Sequence, residues 1–98
     1  MAHVTVRVPA VLAAGLGGRR EVEVPYDADA GPPTVRRLLD VLAEQHPRFG
    51  RRVRDERGEV RRYVNVFVGP DNIRDLAGQD TAVPAGADLL VVQSVAGG

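Results

Sequence analysis

The sequence predicts an α+β domain in which one main helix covers a mixed sheet of four or five strands. Two observations support this fold class: several short stretches alternate apolar and polar residues, and one segment places apolar residues at helical spacing. The order strand, strand, helix, strand, short element, strand gives two layers around one core. A chain of 98 residues has room for one such domain.

The first two strands are predicted to form a hairpin. Residues 3–8 alternate so that Val4, Val6 and Val8 lie on one face, and Pro9 ends the strand. Residues 20–24 alternate again. The glycine-rich stretch between the two strands predicts a mobile turn.

The main helix is predicted to begin after Thr34 and to end near Gln45. The Thr34 hydroxyl can cap the helix, because it can accept a hydrogen bond from an otherwise unpaired amide. The following apolar residues recur at i, i+3, i+4 and i+7, which gives one buried stripe: Val35, Leu38, Leu39 and Leu42. Pro47 prevents the helix from continuing.

Residues 48–62 hold seven of the 13 arginines, interleaved with three acidic residues. We interpret them as a short helical turn followed by an exposed loop, with Phe49 and Val53 as core anchors. Binding of phosphate or nucleic acid and contact with an acidic partner remain alternatives. Because the net charge is zero and no nucleic-acid motif is present, we expect no nucleic-acid partner.

The second half of the chain supplies two further strands. Residues 63–68 alternate, with Tyr63, Asn65 and Phe67 on one face and valines on the other. Residues 89–92 form a continuous apolar run, which predicts a central strand covered on both sides. If the first and last strands pair in the middle of the sheet, the fold is the ubiquitin-like β-grasp.

The composition excludes several kinds of site. Without Cys, the chain has no thiolate nucleophile, disulfide or zinc–thiolate site, and without Lys it has no P-loop lysine or Schiff base. The two histidines, His3 and His46, are far apart in sequence, and we expect no metal. No leader or membrane-spanning stretch is visible, so we expect a cytoplasmic protein without a membrane partner.

Residues 1–94 are predicted to form the domain, and residues 95–98 (VAGG) a flexible tail. One alternative is an ordinary frayed terminus. Gly97 and Gly98 lack a Cβ atom, however, and can therefore thread a narrow channel into a partner's active site, together with Val95 and Ala96. The α-carboxylate of Gly98 is anionic at neutral pH and needs activation, usually adenylation, before it reacts as an electrophile.

Three segments resemble one known family. Residues 62–68 (RYVNVFV), 71–74 (DNIR) and 95–98 (VAGG) are similar to segments of the ThiS/MoaD/CysO family of ubiquitin-like sulfur carriers, especially its actinobacterial cysteine-biosynthetic branch. The resemblance spans nearly the whole chain. It implies a protein cosubstrate without a catalytic side chain, and therefore not an enzyme.

The resemblance also implies partners. An E1-like adenylyltransferase with bound ATP and Mg²⁺ would adenylate Gly98, and a sulfur donor would convert the adenylate to a thiocarboxylate. A sulfur-accepting synthase, dependent on pyridoxal phosphate in the cysteine branch, would take the sulfur, and a metalloprotease would release the product. The carrier itself would bind no cofactor.

The family's binding mode predicts a contact patch for the activating enzyme, formed by Phe67, Leu90 and Val92. The alternative for these side chains is ordinary burial under a loop. Two rival functions remain open. One is a ubiquitin-like modifier that forms isopeptide bonds, and the other is a non-covalent binding module.

Overall fold

A computed structural model describes residues 2–94, in which five strands form one mixed sheet in the order β2-β1-β5-β3-β4. The strands are β1 (Ala2–Arg7), β2 (Glu21–Tyr26), β3 (Val64–Val68), β4 (Asp71–Asn72) and β5 (Leu89–Gln93). The helices are α1 (Ala10–Ala13), α2 (Val35–Gln45) and α3 (Pro47–Val53). The predicted α+β class and mixed sheet are confirmed.

Strands β1 and β2 form the predicted antiparallel hairpin, with Val4 opposite Val24 and Val6 opposite Val22. The connection between them differs from the prediction. Instead of a mobile turn it contains α1 and a 3-10 turn, which bury Leu12 and Leu16 in the core. Burial of these leucines stabilises a helix too short to be stable alone.

The main helix α2 has the predicted limits. The Arg37 amide donates a hydrogen bond of 3.2 Å to the Thr34 hydroxyl oxygen, which confirms the cap. The whole apolar stripe is buried against the sheet. Helix α3 follows with Pro47 in its first turn, where the missing amide hydrogen costs nothing, and buries Phe49 and Val53 as expected.

Strand β5 occupies the centre of the sheet, parallel to β1 and antiparallel to β3. This arrangement of the first and last strands confirms the β-grasp. The prediction that β5 is covered on both sides is wrong. Leu89 and Val91 are fully buried, whereas Leu90 on the other face is 37% exposed. The helices bury one face of the sheet, and because successive residues of a strand alternate sides, Leu90 lies on the other face.

Strand β3 places Val64, Val66 and Val68 in the core, as the alternation predicts. A tight turn after β3 leads into the two-residue strand β4, and Ile73 then packs into the core from a 3-10 turn. Among residues 2–94, no helix combines the length and the apolar character that crossing a membrane requires.

Candidate functional site

The sheet face opposite the helices brings Phe67, Leu90 and Val92 together. Phe67 is the register partner of Leu90 in the β3–β5 ladder, and Val92 follows Leu90 by two residues on the same face. Leu90 is exposed, and Phe67 and Val92 are half-buried. We call these three residues the apolar patch. None of the three side chains is fully buried.

Charged side chains border the apolar patch on the β1 side. Arg7 is the register partner of Leu90 in the parallel β1–β5 ladder. Its guanidinium lies 3.1 Å from the Asp88 carboxylate and 3.8 Å from the Glu21 carboxylate. All three side chains are about half exposed, so these ion pairs contribute little to stability. They do remain accessible to complementary charges on a partner.

An open groove of about 370 Å³ runs between this charged border and the apolar patch. Its walls include Arg20 and Glu21 on one side and Leu90 and Val92 on the other. Apolar side chains surrounded by accessible charges are the usual composition of a protein-binding surface. The arrangement therefore suits a protein partner.

Next to the apolar patch, Asn65 connects three parts of the chain. Its Oδ1 accepts hydrogen bonds from the Arg74 guanidinium and, over 3.2 Å, from the Asn72 side-chain amide. Its Nδ2 donates to the Ser94 hydroxyl over 3.3 Å. From the sequence, Asn65 is only an unusual residue for a strand interior. The side chains that it joins are 7, 9 and 29 residues away, which no local pattern reveals.

Ser94 is the last residue that the structure describes. Its amide donates to the Tyr63 carbonyl oxygen over 2.7 Å, which continues the β3–β5 pairing by one residue beyond β5. The predicted tail residues Val95, Ala96, Gly97 and Gly98 lie outside the described part of the chain. The structure places the residue to which they are attached, Ser94, just beyond the end of the central strand β5 and beside Asn65.

The Arg-rich segment folds as the predicted helical turn and loop, but one of its arginines is not solvated. The Arg54 side chain is only 12% exposed and contacts the Asp40 carboxylate at 2.8 Å and the Gln79 amide oxygen at 3.1 Å. Arg54 therefore has a structural role. Arg57 pairs with Asp55 and Glu59 within the loop, as the interleaved charges suggest.

The loop after α3 contains a carboxylate whose pKa is perturbed. The amides of Glu59 and Arg57 donate to Asp55 Oδ1 over 3.1 and 2.9 Å. The hydrogen bond from Glu59, followed by that from Arg57 and the nearby positive charge, lowers the pKa of Asp55 below its ordinary value of 3.8, although desolvation opposes this shift. Within residues 2–94, no three His, Asp or Glu side chains cluster as a metal site would require.

Two features define a ubiquitin-like β-grasp protein: the first and last strands pair in the middle of the sheet, and the helices cover one face of it. The sequence profile of the ThiS family matches residues 6–98, and the chain belongs to that family. The family resemblance seen in the sequence is thereby confirmed.

Known proteins of similar sequence and structure agree with this assignment. The sulfur carrier protein CysO of Mycobacterium tuberculosis is 28% identical over 98 residues, which cover 98% of this chain and 99% of CysO. Small archaeal modifier protein 1 of Haloferax volcanii is 32% identical, with a TM-score of 0.78 over 97% of this chain and 100% of that protein. A chain from the Amycolatopsis orientalis BexX/CysO complex is 30% identical, with a TM-score of 0.77 over 97% of this chain and 99% of its own length.

Proposed function

We propose that this chain is a sulfur carrier protein that acts as a cosubstrate of partner enzymes. The observation that carries the proposal is the match to the ThiS family along residues 6–98. The similarity to a protein named as a sulfur carrier supports it. Cysteine biosynthesis, through a pyridoxal-phosphate synthase and a metalloprotease, is the pathway that the likeness to CysO supports best.

The chemistry takes place at the α-carboxylate of Gly98. A carboxylate oxygen attacks the α-phosphorus of ATP on an E1-like partner that holds the nucleotide and Mg²⁺, and pyrophosphate leaves. Sulfide sulfur from a donor then attacks the acyl carbon, and AMP leaves with the electron pair of the broken C–O bond. The two steps replace one difficult substitution on a carboxylate, and the product is a thiocarboxylate.

The carrier contributes a docking surface and a reactive end rather than catalytic side chains. The apolar patch would bind the activating enzyme, with Arg7, Asp88 and Glu21 setting the charge pattern around it. Residues 95–97 would cross the narrow entrance of the partner's active site. Gly97 suits that passage because it has no Cβ atom.

Intact mass spectrometry tests the proposal. The chain is incubated with ATP, Mg²⁺, sulfide and a purified activating enzyme of the family. Exchange of one oxygen for sulfur adds about 16 Da, as expected for an acyl intermediate intercepted by sulfide. A variant without Gly98 is the matched control and should gain nothing. The proposal would be refuted if the mass of the full chain stayed unchanged and a variant without Gly98 still functioned in sulfur transfer.

A ubiquitin-like modifier is the second candidate, because small archaeal modifier protein 1 is 32% identical over nearly the whole chain. The same activated carboxylate would then react with a target lysine. Covalent adducts of this chain with other proteins, formed with ATP and absent in the variant without Gly98, distinguish this function from sulfur transfer. A non-covalent binding module would produce neither product.

A further inference from the structure

The chain is fixed from two sides where it leaves the sheet. The Ser94 amide binds the Tyr63 carbonyl oxygen, and the Ser94 hydroxyl accepts from Asn65 Nδ2. The last regular residue of β5 is Gln93, so both bonds lie just beyond the end of the strand. Strand ends usually fray, and here a side chain of the neighbouring strand opposes that fraying.

Asn65 is itself held in place by Arg74. One nitrogen of the guanidinium donates to Asn65 Oδ1, and the other donates to the carbonyl oxygens of Arg61 and Arg62 at 3.1 and 3.4 Å. Arg61 and Arg62 lead into β3. The planar guanidinium therefore joins the start of β3 to the Asn65 side-chain amide. The same amide binds Ser94.

We propose that Asn65 is a positioning residue for the reactive tail. This inference rests on the proposed function, in which the tail must reach a partner's active site while the apolar patch is docked. At strand spacing, Leu90 lies about 13 Å and Val92 about 7 Å from Ser94. Four further residues extend at most about 14 Å. Holding Ser94 in place keeps this reach defined and limits the conformations that the tail samples.

Loss of the contact is expected to lower the rate of adenylation but not docking. The apolar patch sets the affinity for the partner, so the KM for the carrier should stay unchanged. A frayed Ser94 spreads the tail over more conformations, so kcat should fall. A net hydrogen-bond contribution of 0.5–1.5 kcal/mol corresponds to a change of about two- to tenfold.

Ser94→Thr and Ser94→Val form a matched pair of variants, because they are nearly identical in shape and only threonine keeps the hydroxyl. ATP–pyrophosphate exchange with the activating enzyme measures kcat and KM, and hydrogen exchange measures protection of the residue-94 amide. We expect Ser94→Val and Asn65→Ala to lose about two- to tenfold in kcat and in amide protection. Ser94→Thr should match the wild type in both.

Arg74→Lys separates geometry from charge. Lysine keeps the positive charge but cannot span Asn65 and the two carbonyl oxygens at once. If the planar contact of Arg74 holds Asn65 in place, Arg74→Lys should behave like Arg74→Met in amide protection and kcat. Rescue of both readouts by lysine would overturn the role of the planar contact.

Two other results would overturn the proposal. One is equal kcat and equal amide protection in Ser94→Thr and Ser94→Val. The other is a rise in KM at constant kcat in Asn65→Ala, which would mark Asn65 as a docking residue. If the wild-type chain itself shows no exchange with the enzyme, the proposed function fails. Protection of the residue-94 amide from hydrogen exchange then tests, without the enzyme, whether Asn65 holds Ser94 in place.

Discussion

Phe67 and Leu90 are register partners in the β3–β5 ladder, and both point away from the core. Their neighbours on each strand, Val66, Val68, Leu89 and Val91, are buried. The same two strands thus build the core with one set of residues and an accessible apolar surface with the other. This division lets the surface be changed without dismantling the fold.

Leu90→Glu is expected to abolish activation while the domain stays folded. Leu90 is 37% exposed, so the free energy of unfolding should change by less than about 1 kcal/mol. A charge in the middle of the apolar patch must be desolvated on docking, which should weaken binding at least about tenfold. Titration calorimetry with the activating enzyme measures the affinity, and urea unfolding measures the stability.

Val11→Glu is the control for this substitution. Val11 is 49% exposed and lies on α1, whose Leu12 and Ala13 are in the core on the other side of the sheet. It should leave binding unchanged. Equal loss of affinity in both variants, or unfolding of Leu90→Glu, would contradict the assignment of the apolar patch.

Helices α2 and α3 approach each other closely at Gly50. A Cβ atom on Gly50 would lie 2.6 Å from the Ala43 Cβ and 3.0 Å from the Ala43 Cα. Gly50→Ala should therefore lower the free energy of unfolding by roughly 1–3 kcal/mol, through overpacking. Chemical denaturation measures the change.

Ala43→Gly provides the compensating variant for Gly50→Ala. Alone it should cost about 1 kcal/mol, because glycine disfavours the helix. Combined with Gly50→Ala it removes the 2.6 Å contact with the Ala43 Cβ, so the double variant should be more stable, by about 0.5–3 kcal/mol, than simple addition of the two single effects predicts. Strict additivity would show that the helices separate without cost.

The parts of this fold that follow from the sequence are those set by local periodicity. The alternation of β1, β2 and β3, the stripe of α2 and its Thr34 cap all depend on neighbours a few residues apart. Helix α1 could not be predicted in this way. Its four residues are stabilised by tertiary burial of Leu12 rather than by helix propensity.

The candidate site was predictable to a similar extent. Alternation places Phe67, Leu90 and Val92 away from the core once the buried face is known, but a continuous apolar run does not tell which face is open. The contacts of Asn65 with Arg74 and Ser94 depend on strand order, because β3 and β5 are neighbours only in the folded sheet. The reactive role of Gly97 and Gly98 stays a prediction.

Gln93 carries a buried polar atom that its neighbours do not satisfy. Its Oε1 is inaccessible to solvent and has no hydrogen-bond partner among residues 2–94. Leaving such an acceptor unpaired costs about 1–3 kcal/mol. Gln93→Met, which keeps the length of the side chain, should therefore raise the free energy of unfolding by about 1 kcal/mol. A loss of stability on denaturation would contradict this prediction.

Asp55 gives the loop after α3 a stability that depends on pH. The amides of Glu59 and Arg57 hold the pKa of Asp55 below 3.8 in the folded state. The folded state thus favours the charged carboxylate. The contribution of Asp55 to folding stability is therefore complete above the unfolded pKa and is lost as the pH falls through the folded pKa.

Asp55→Asn should lower the thermal midpoint at neutral pH, because the neutral amide is a weaker acceptor. As the pH falls below 3.8, the midpoints of wild type and variant should converge, since all other titrating groups are shared. A gap between the two midpoints that stays constant over this range would show that the charge of Asp55 does not stabilise the loop.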